Sequence, residues 1–217
     1  MFITGTDTGV GKTYVTALLL AELRRRGVRA AAMKPIACGR DGRRDAERYA
    51  ALMNDEQPLN VLNPVYLRHP LAPRVAAKLE HRTIDLRKVV ASYQRLTANY
   101  QVVLVEGAGG LLVPIKRGYF VANLARELKL PVLVVARLGL GTINHTLLTV
   151  RQAQASGLTV AGIVLNDTVG DRRGLAARTN IEVLPALCAV PLLGIVPHGR
   201  AGASAAAGKI CQALGWT

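Results

Sequence analysis

Short apolar runs alternate with longer amphipathic stretches along most of the chain. Phe2-Ile3-Thr4 reads as a short strand that stops at Gly5. From 12 to 26, Val15, Leu18, Leu19, Ala21 and Leu23 recur at helical spacing, and Gly27 supplies a helix stop. Val28–Met33 predicts a second strand, and residues 45–53 and 85–98 predict helices. Val102–Val105 is apolar without alternation, as in a strand buried on both faces. A helix over 119–128, a strand Val132–Ala136 and a helix over 143–156 that stops at Gly157 follow. Val160–Leu165 and Leu192–Val196 are strands, and 173–188 and 203–214 are helices. This alternation predicts an α/β fold with a mostly parallel central sheet and helices on both faces. No internal repeat or low-complexity linker interrupts it, so one domain over residues 1–217 is expected. The stretch 54–84, with Pro58, Pro64, Pro70 and Pro73, is the least regular and reads as a surface excursion.

The strongest chemical signal joins the first strand to the first helix. Gly5-Thr6-Asp7-Thr8-Gly9-Val10-Gly11-Lys12-Thr13 has the small residues that let backbone N–H groups face phosphate oxygens. The helix behind it adds a partial positive N-terminus. Lys12 would reach the β and γ phosphates, and the Thr13 hydroxyl would ligate Mg²⁺. The pattern G-x-x-x-x-G-K-[ST] places its first glycine at 6, but position 6 is Thr6 and the glycine is Gly5. Partition and septum-positioning ATPases carry a signature lysine at the next place, which here holds Asp7.

Other chemistry sits where predicted strands end. Val102–Val105 leads into Glu106-Gly107-Ala108-Gly109-Gly110, and a strand-end carboxylate beside a phosphate loop is suited to Mg²⁺. Alone, Glu106 would be an ordinary surface carboxylate before a loop. Met33-Lys34-Pro35 puts a cation at the ligand-binding edge of the sheet. Asp45 serves either as a helix cap, its ordinary role, or as a metal ligand. Thr142 is read as an N-cap, with free N–H groups behind it that could hold a carboxylate. His145 reads as structural. Asn166 offers an amide to a nucleobase edge, although Asn-Asp also starts turns.

Composition narrows the class. Half of the 217 residues are hydrophobic and mean hydropathy is +0.24, enough for a sizeable core. No apolar run approaches the ~20 residues of a membrane span, and the N-terminus has no secretory pattern, so a cytoplasmic protein is expected. Three separated cysteines (38, 188 and 211) and four scattered histidines argue against a disulfide framework or structural zinc. Lys and Arg number 28 against 14 acids, a net charge of +14 that favours anionic ligands. Aromatics are only 4% and basic runs are short, which argues against nucleic acid as a partner.

Together these segments resemble dethiobiotin synthetase, of the biotin pathway. The resemblance runs in order through Thr4–Thr8, Val10–Thr13, Lys34-Pro35, Val105–Gly110, Ile143-Asn144-His145, Asn166-Asp167 and Pro191–Gly194. It implies that 7,8-diaminopelargonate, CO₂ (as bicarbonate) and ATP give dethiobiotin, ADP and phosphate through a carbamate and a carbamic-phosphoric anhydride. It implies catalytic roles for Thr8, Lys12 and Lys34, with Thr13, Asp45 and Glu106 on Mg²⁺. Gly9, Val10, Gly11, Lys12, Thr13, Tyr14, Glu106, Gly107, Gly109 and Asn166 would bind the nucleotide, Asn166 at adenine. Lys34 and Cys38 would contact the substrate, whose carboxylate tail would meet Thr142, Ile143 and Asn144 of a neighbouring subunit in a homodimer. The chain departs from the family at Gly9, where several members carry Glu, and at Cys38, where serine is frequent. It also has no tyrosine in 170–182 for the substrate tail. The competing reading is a partition-type ATPase switch on DNA or protein partners, which Asp7 and the near-neutral C-terminal helix disfavour. A cobyrinate-type amidotransferase would need a glutaminase domain, and a metal-insertion GTPase Cys or His motifs.

Overall fold

The computed structural model describes residues 1–172 and 174–216. Six strands form a wholly parallel sheet: β1 (Phe2–Gly5), β2 (Ala30–Met33), β5 (Val102–Glu106), β8 (Val132–Arg137), β9 (Val160–Asn166) and β10 (Leu192–Val196). Their order is β10-β9-β8-β1-β5-β2. The central strands β1 and β8 are buried along nearly their whole length, which is why they read as apolar runs without alternation. The crossover through α1 (Lys12–Arg25) carries the chain from β1 toward β2, and that through α7 (Thr142–Ala155) carries it the opposite way, from β8 to β9. Right-handed crossovers in opposite directions put these helices on opposite faces. The sheet therefore reverses direction around β1, and ligands of such sheets bind beyond the strand ends at that reversal.

Further helices are α2 (Gly39–Leu52), α5 (Leu86–Asn99), α6 (Val121–Glu127), α8 (Leu175–Leu187) and α9 (Ala203–Ala213). A two-stranded antiparallel pair, β6 (Pro114–Lys116) and β7 (Tyr119–Phe120), precedes α6, so the helix expected from 119 begins at Val121. The helix expected over 173–188 spans Leu175–Leu187, and Arg173 lies outside the described residues. The one expected from 45 begins six residues earlier, at Gly39.

The stretch 54–84 is not a surface excursion. Two of its prolines start helices: Pro58 precedes α3 (Leu59–Leu62) and Pro73 is the first residue of α4 (Pro73–Leu79), where a missing N–H costs nothing. Between them β4 (Val65–Leu67) pairs in parallel with β3 (Ile36–Cys38). Leu62, Val65, Leu67, Ala76 and Ile84 are buried in the same core as the main sheet.

Candidate active site

The phosphate loop runs from the end of β1 into α1. Gly5 has no room for a side chain: a Cβ there would lie 2.8 Å from the Asp7 carbonyl oxygen and from Val10, and 3.1 Å from Lys12 Nζ. Thr6 donates its N–H to Val135 of β8 at 3.0 Å. The tight approach thus falls at position 5 and explains why the glycine is there. Gly9 and Gly11 have φ of 76° and 93°, conformations that favour glycine. Gly11 caps α1 with no side-chain bond, leaving the first-turn N–H groups open to an anion. Thr8 is exposed on the loop, and a Cβ on Gly109 would come within 3.4 Å of its hydroxyl. Lys12 is buried and donates to the Asp7 carbonyl at 3.0 Å. Burial lowers its ammonium to about 8, against the pull of Glu106.

On the β5 side of the loop four predicted residues converge. Glu106 is fully buried at the end of β5. Its Oε1 accepts from Thr13 Oγ1 at 2.9 Å and from Lys34 Nζ at 2.6 Å. Lys34 also donates to Asp45 Oδ2 at 2.9 Å. Burial alone would lower the Lys34 ammonium, but Glu106 and Asp45 outweigh it and hold it above its ordinary value. Burial pushes the Asp45 carboxyl up, against Lys34. Asp45 lies in the interior of α2 and caps nothing. Cys38, half-buried, precedes α2, and burial raises its thiol to about 11. Gly107 packs against Phe2, and Gly109 has φ of 65°.

Two further residues complete this cluster without having been singled out from the sequence. Tyr49 is fully buried on α2 and its hydroxyl donates to Glu106 Oε2. Burial, then the charge of Glu106, holds that phenol well above its ordinary value. It lies four residues after Asp45, so helical spacing alone places both on one face. Asn63, buried between α3 and β4, donates to the Lys34 and Val65 carbonyls at 2.8 and 2.9 Å. The stretch 54–84 therefore anchors the main chain of Lys34.

The remaining candidates lie elsewhere. Asn166 donates its amide to the Val10 carbonyl at 2.9 Å, bracing the phosphate loop from β9. Tyr14 donates to the Gly199 carbonyl at 2.7 Å, with the Arg48 guanidinium 6.0 Å from its ring. Thr142 is not the cap of α7: Gly141, at φ 88°, is the cap, and Thr142 is the buried first residue. Ile143 is half-buried and Asn144 exposed. Thr142 and His145 line a small cleft with Thr6, Asp7 and Val10 on the β8 side of the loop, apart from Lys34.

Two carboxylates and a hydroxyl beside a phosphate loop are an oxygen donor set that fits Mg²⁺, which is commonly held by one or two carboxylates plus substrate phosphates. Among the described residues no group of three or more His, Cys, Asp or Glu side chains forms a metal cluster.

A family model described as an AAA domain matches residues 1–202. The ATP-dependent dethiobiotin synthetase BioD of Bacillus licheniformis is 42% identical over 199 residues, 90% of this chain and 84% of that one. The chain belongs to the dethiobiotin synthetase family. The dethiobiotin synthetase of Anaeromyxobacter sp. (strain K) is 50% identical over 170 residues, 77% of this chain and 76% of its own. Among solved structures, the MinC:MinD cell division protein complex of Aquifex aeolicus superposes with a TM-score of 0.63 at 16% identity, covering 100% of this chain and 95% of that one. MinD of Pyrococcus horikoshii, complexed with Mg-ADP, gives 0.60 at 15% identity, covering 97% and 94%. These likenesses show that this chain shares the fold of the septum-site ATPases. Within that fold, Asp7 lies in this chain's phosphate loop and Lys34 bridges the carboxylates of Asp45 and Glu106.

Proposed function

We propose that the chain is an ATP-dependent cyclo-ligase that closes 7,8-diaminopelargonate and CO₂ into dethiobiotin, releasing ADP and phosphate. One observation carries this reading: the Lys34–Asp45–Glu106–Thr13 cluster lies beside the phosphate loop of a chain 42% identical to a dethiobiotin synthetase over 90% of its length. A substrate amine adds to CO₂ and loses a proton, giving a carbamate. A carbamate oxygen attacks the γ phosphorus and ADP leaves. The second amine attacks the carbamoyl carbon, the ring closes and phosphate departs. No protein nucleophile is needed, so the residues act by position and charge.

Lys12 and the loop N–H groups hold the β and γ phosphates, with Thr8 at the loop surface. Lys34 faces the carbamate, beside Cys38, and offsets its repulsion from the triphosphate. Thr13, Asp45 and Glu106 would hold Mg²⁺. When bound, that ion neutralises charge on the phosphate oxygens. Asn166 braces the loop through its N–H and is left to meet adenine through its oxygen, with Tyr14 alongside.

The substrate's carboxylate tail is assigned to Thr142, Ile143 and Asn144 of a second copy in a homodimer. In support, exposed Leu112 and Leu148 flank an apolar groove of about 370 Å³ between Gly110–Pro114 and α7. We read residues 1–217 as one functional unit working in the cytoplasm. None of the described helices is long and apolar enough to cross a membrane. The test is phosphate release from Mg-ATP with and without diaminopelargonate and bicarbonate. Release that requires both, with dethiobiotin seen by mass, supports the reading. Release indifferent to both overturns it.

A further inference from the structure

The buried Tyr49 hydroxyl is used by nothing in the reaction as described, yet it is aimed at the group on which the site is built. Glu106 has two carboxylate oxygens and both are engaged. Oε1 serves Thr13 and Lys34, and Oε2 accepts from Tyr49. A buried carboxylate oxygen without a donor is costly, and the side chain would turn to find one. The only freedom that matters here is rotation of Glu106, because rotation would carry Oε1 away from Thr13. Tyr49 opposes that rotation from the far side. Its ring is itself fixed, being fully buried on α2 among core residues that include Met53 and Leu62. The same helix carries Asp45 one turn earlier, so one rigid element presents one carboxylate directly and fixes the orientation of the other.

We propose that Tyr49 is a positioning residue for the metal-nucleotide site, holding Glu106 Oε2 so that Oε1 stays turned toward Thr13. This inference rests on the assignment of Glu106 to Mg²⁺ in the proposed function. The Tyr49 hydroxyl bonds Glu106, and its proposed role is exerted through that carboxylate.

The test is Tyr49→Phe in the full chain, which removes one oxygen and keeps the ring. Mg²⁺ is titrated into the protein saturated with ADP and followed by calorimetry, a readout independent of turnover. Loss of an outer partner of a metal ligand typically costs 10–100-fold in metal affinity or activity. The expected result is Mg²⁺ affinity weakened about tenfold and kcat lowered by a similar factor. The KM for diaminopelargonate and the affinity for metal-free ADP should be unchanged. Wild-type Mg²⁺ affinity in this variant would overturn the proposal, and so would a loss confined to ADP or to diaminopelargonate. If the phenylalanine variant melts below the assay temperature, 4-aminophenylalanine at position 49 restores a donor at the same ring position. Mg²⁺ affinity within about threefold of wild type is then expected, and a tenfold loss would overturn the proposal. Glu106→Gln separates the two readings: if it leaves Mg²⁺ binding intact, the metal assignment fails, whatever Tyr49 does. If wild-type protein makes no dethiobiotin, the reaction assignment fails while the Mg²⁺ titration still tests Tyr49.

Discussion

Lys34 is asked to do two things, and replacing it by methionine separates them. Among the described residues it is the side-chain cation paired with both Glu106 and Asp45. Methionine keeps the apolar stem and removes the cation that bridges the two carboxylates, leaving them only the more distant charge of Lys12. Breaking a buried pair by removing one partner costs roughly 3–5 kcal/mol. The Glu106 side chain is 1% exposed and takes the full penalty, whereas that of Asp45 is 24% exposed and is screened by water. A loss near the lower end, about 3 kcal/mol, is therefore expected. For a chain of this size that is a fall in Tm of about 6–12 °C by scanning calorimetry. The deficit should narrow when Mg²⁺ and ADP supply another cation to the carboxylates. Dethiobiotin formation should fall by at least about 100-fold, because the carbamate loses its counter-charge. The Kd for ATP should stay within about threefold, since Lys12 and the loop N–H groups remain. A Tm within about two degrees of wild type would refute the ion-pair reasoning. An ATP affinity that falls as far as turnover would move Lys34 from the carbamate to the nucleotide.

Four more expectations concern single positions. Gly11→Ala puts a Cβ 2.0 Å from Asn166 Nδ2 at φ 93°, so ATP affinity by calorimetry should fall at least about tenfold. Gly27→Ala, at φ 80° with nothing within 4 Å, should cost only about 1 kcal/mol and spare ATP binding. Arg25 and Arg26 hold buried Glu22 at about 2 against an ordinary 4.5, so protonation favours the unfolded chain. Its contribution is full above about pH 4.5 and lost as pH falls toward 2. Glu22→Gln should flatten that acid limb in urea melts taken across the range, and an unaltered limb would contradict the ion pairs. Asn144→Ala, exposed at the start of α7, should raise the KM for diaminopelargonate about tenfold without moving Tm. An unchanged KM would remove Asn144 from the tail site.

The sheet strands were legible because burial on both faces leaves a pattern that local chemistry cannot disguise: Val102–Val105 and Val132–Ala136 are apolar whichever way a side chain points. Signals that depend on a partner elsewhere in the chain were misread. Pro58 and Pro73 break chains in general, yet here Pro58 caps one short helix and Pro73 is the first residue of another, positions whose N–H has no partner within the helix. The start of α2 was invisible, since Gly39-Arg40-Asp41-Gly42 has no apolar stripe and its helix is held by packing of Ala46, Tyr49 and Ala50 further on. Thr142 has the composition of a cap, but Gly141 can take the left-handed conformation that the turn requires and displaces it by one residue.

At the site the same division holds between groups whose role is written in their neighbours along the chain and groups defined by what lies across the fold. The phosphate loop belongs to the first kind: its glycines, lysine and threonine are contiguous, and even its displaced first glycine is explained by a clash within the loop. Lys34, Asp45 and Glu106 belong to the second. They end one strand, sit inside one helix and end another strand, and only the order β1-β5-β2 brings them together. Tyr49 is harder still, because a buried tyrosine on an amphipathic helix has the pattern of core. Its hydroxyl acquires meaning only once β5 delivers a carboxylate to the same depth. A polar atom placed on an apolar face, one helical turn from a candidate metal ligand, is the signal that would have found it. Burying that hydroxyl without a partner would cost about 1–3 kcal/mol, so its position implies a buried acceptor. The carboxylate at the end of β5 is that acceptor.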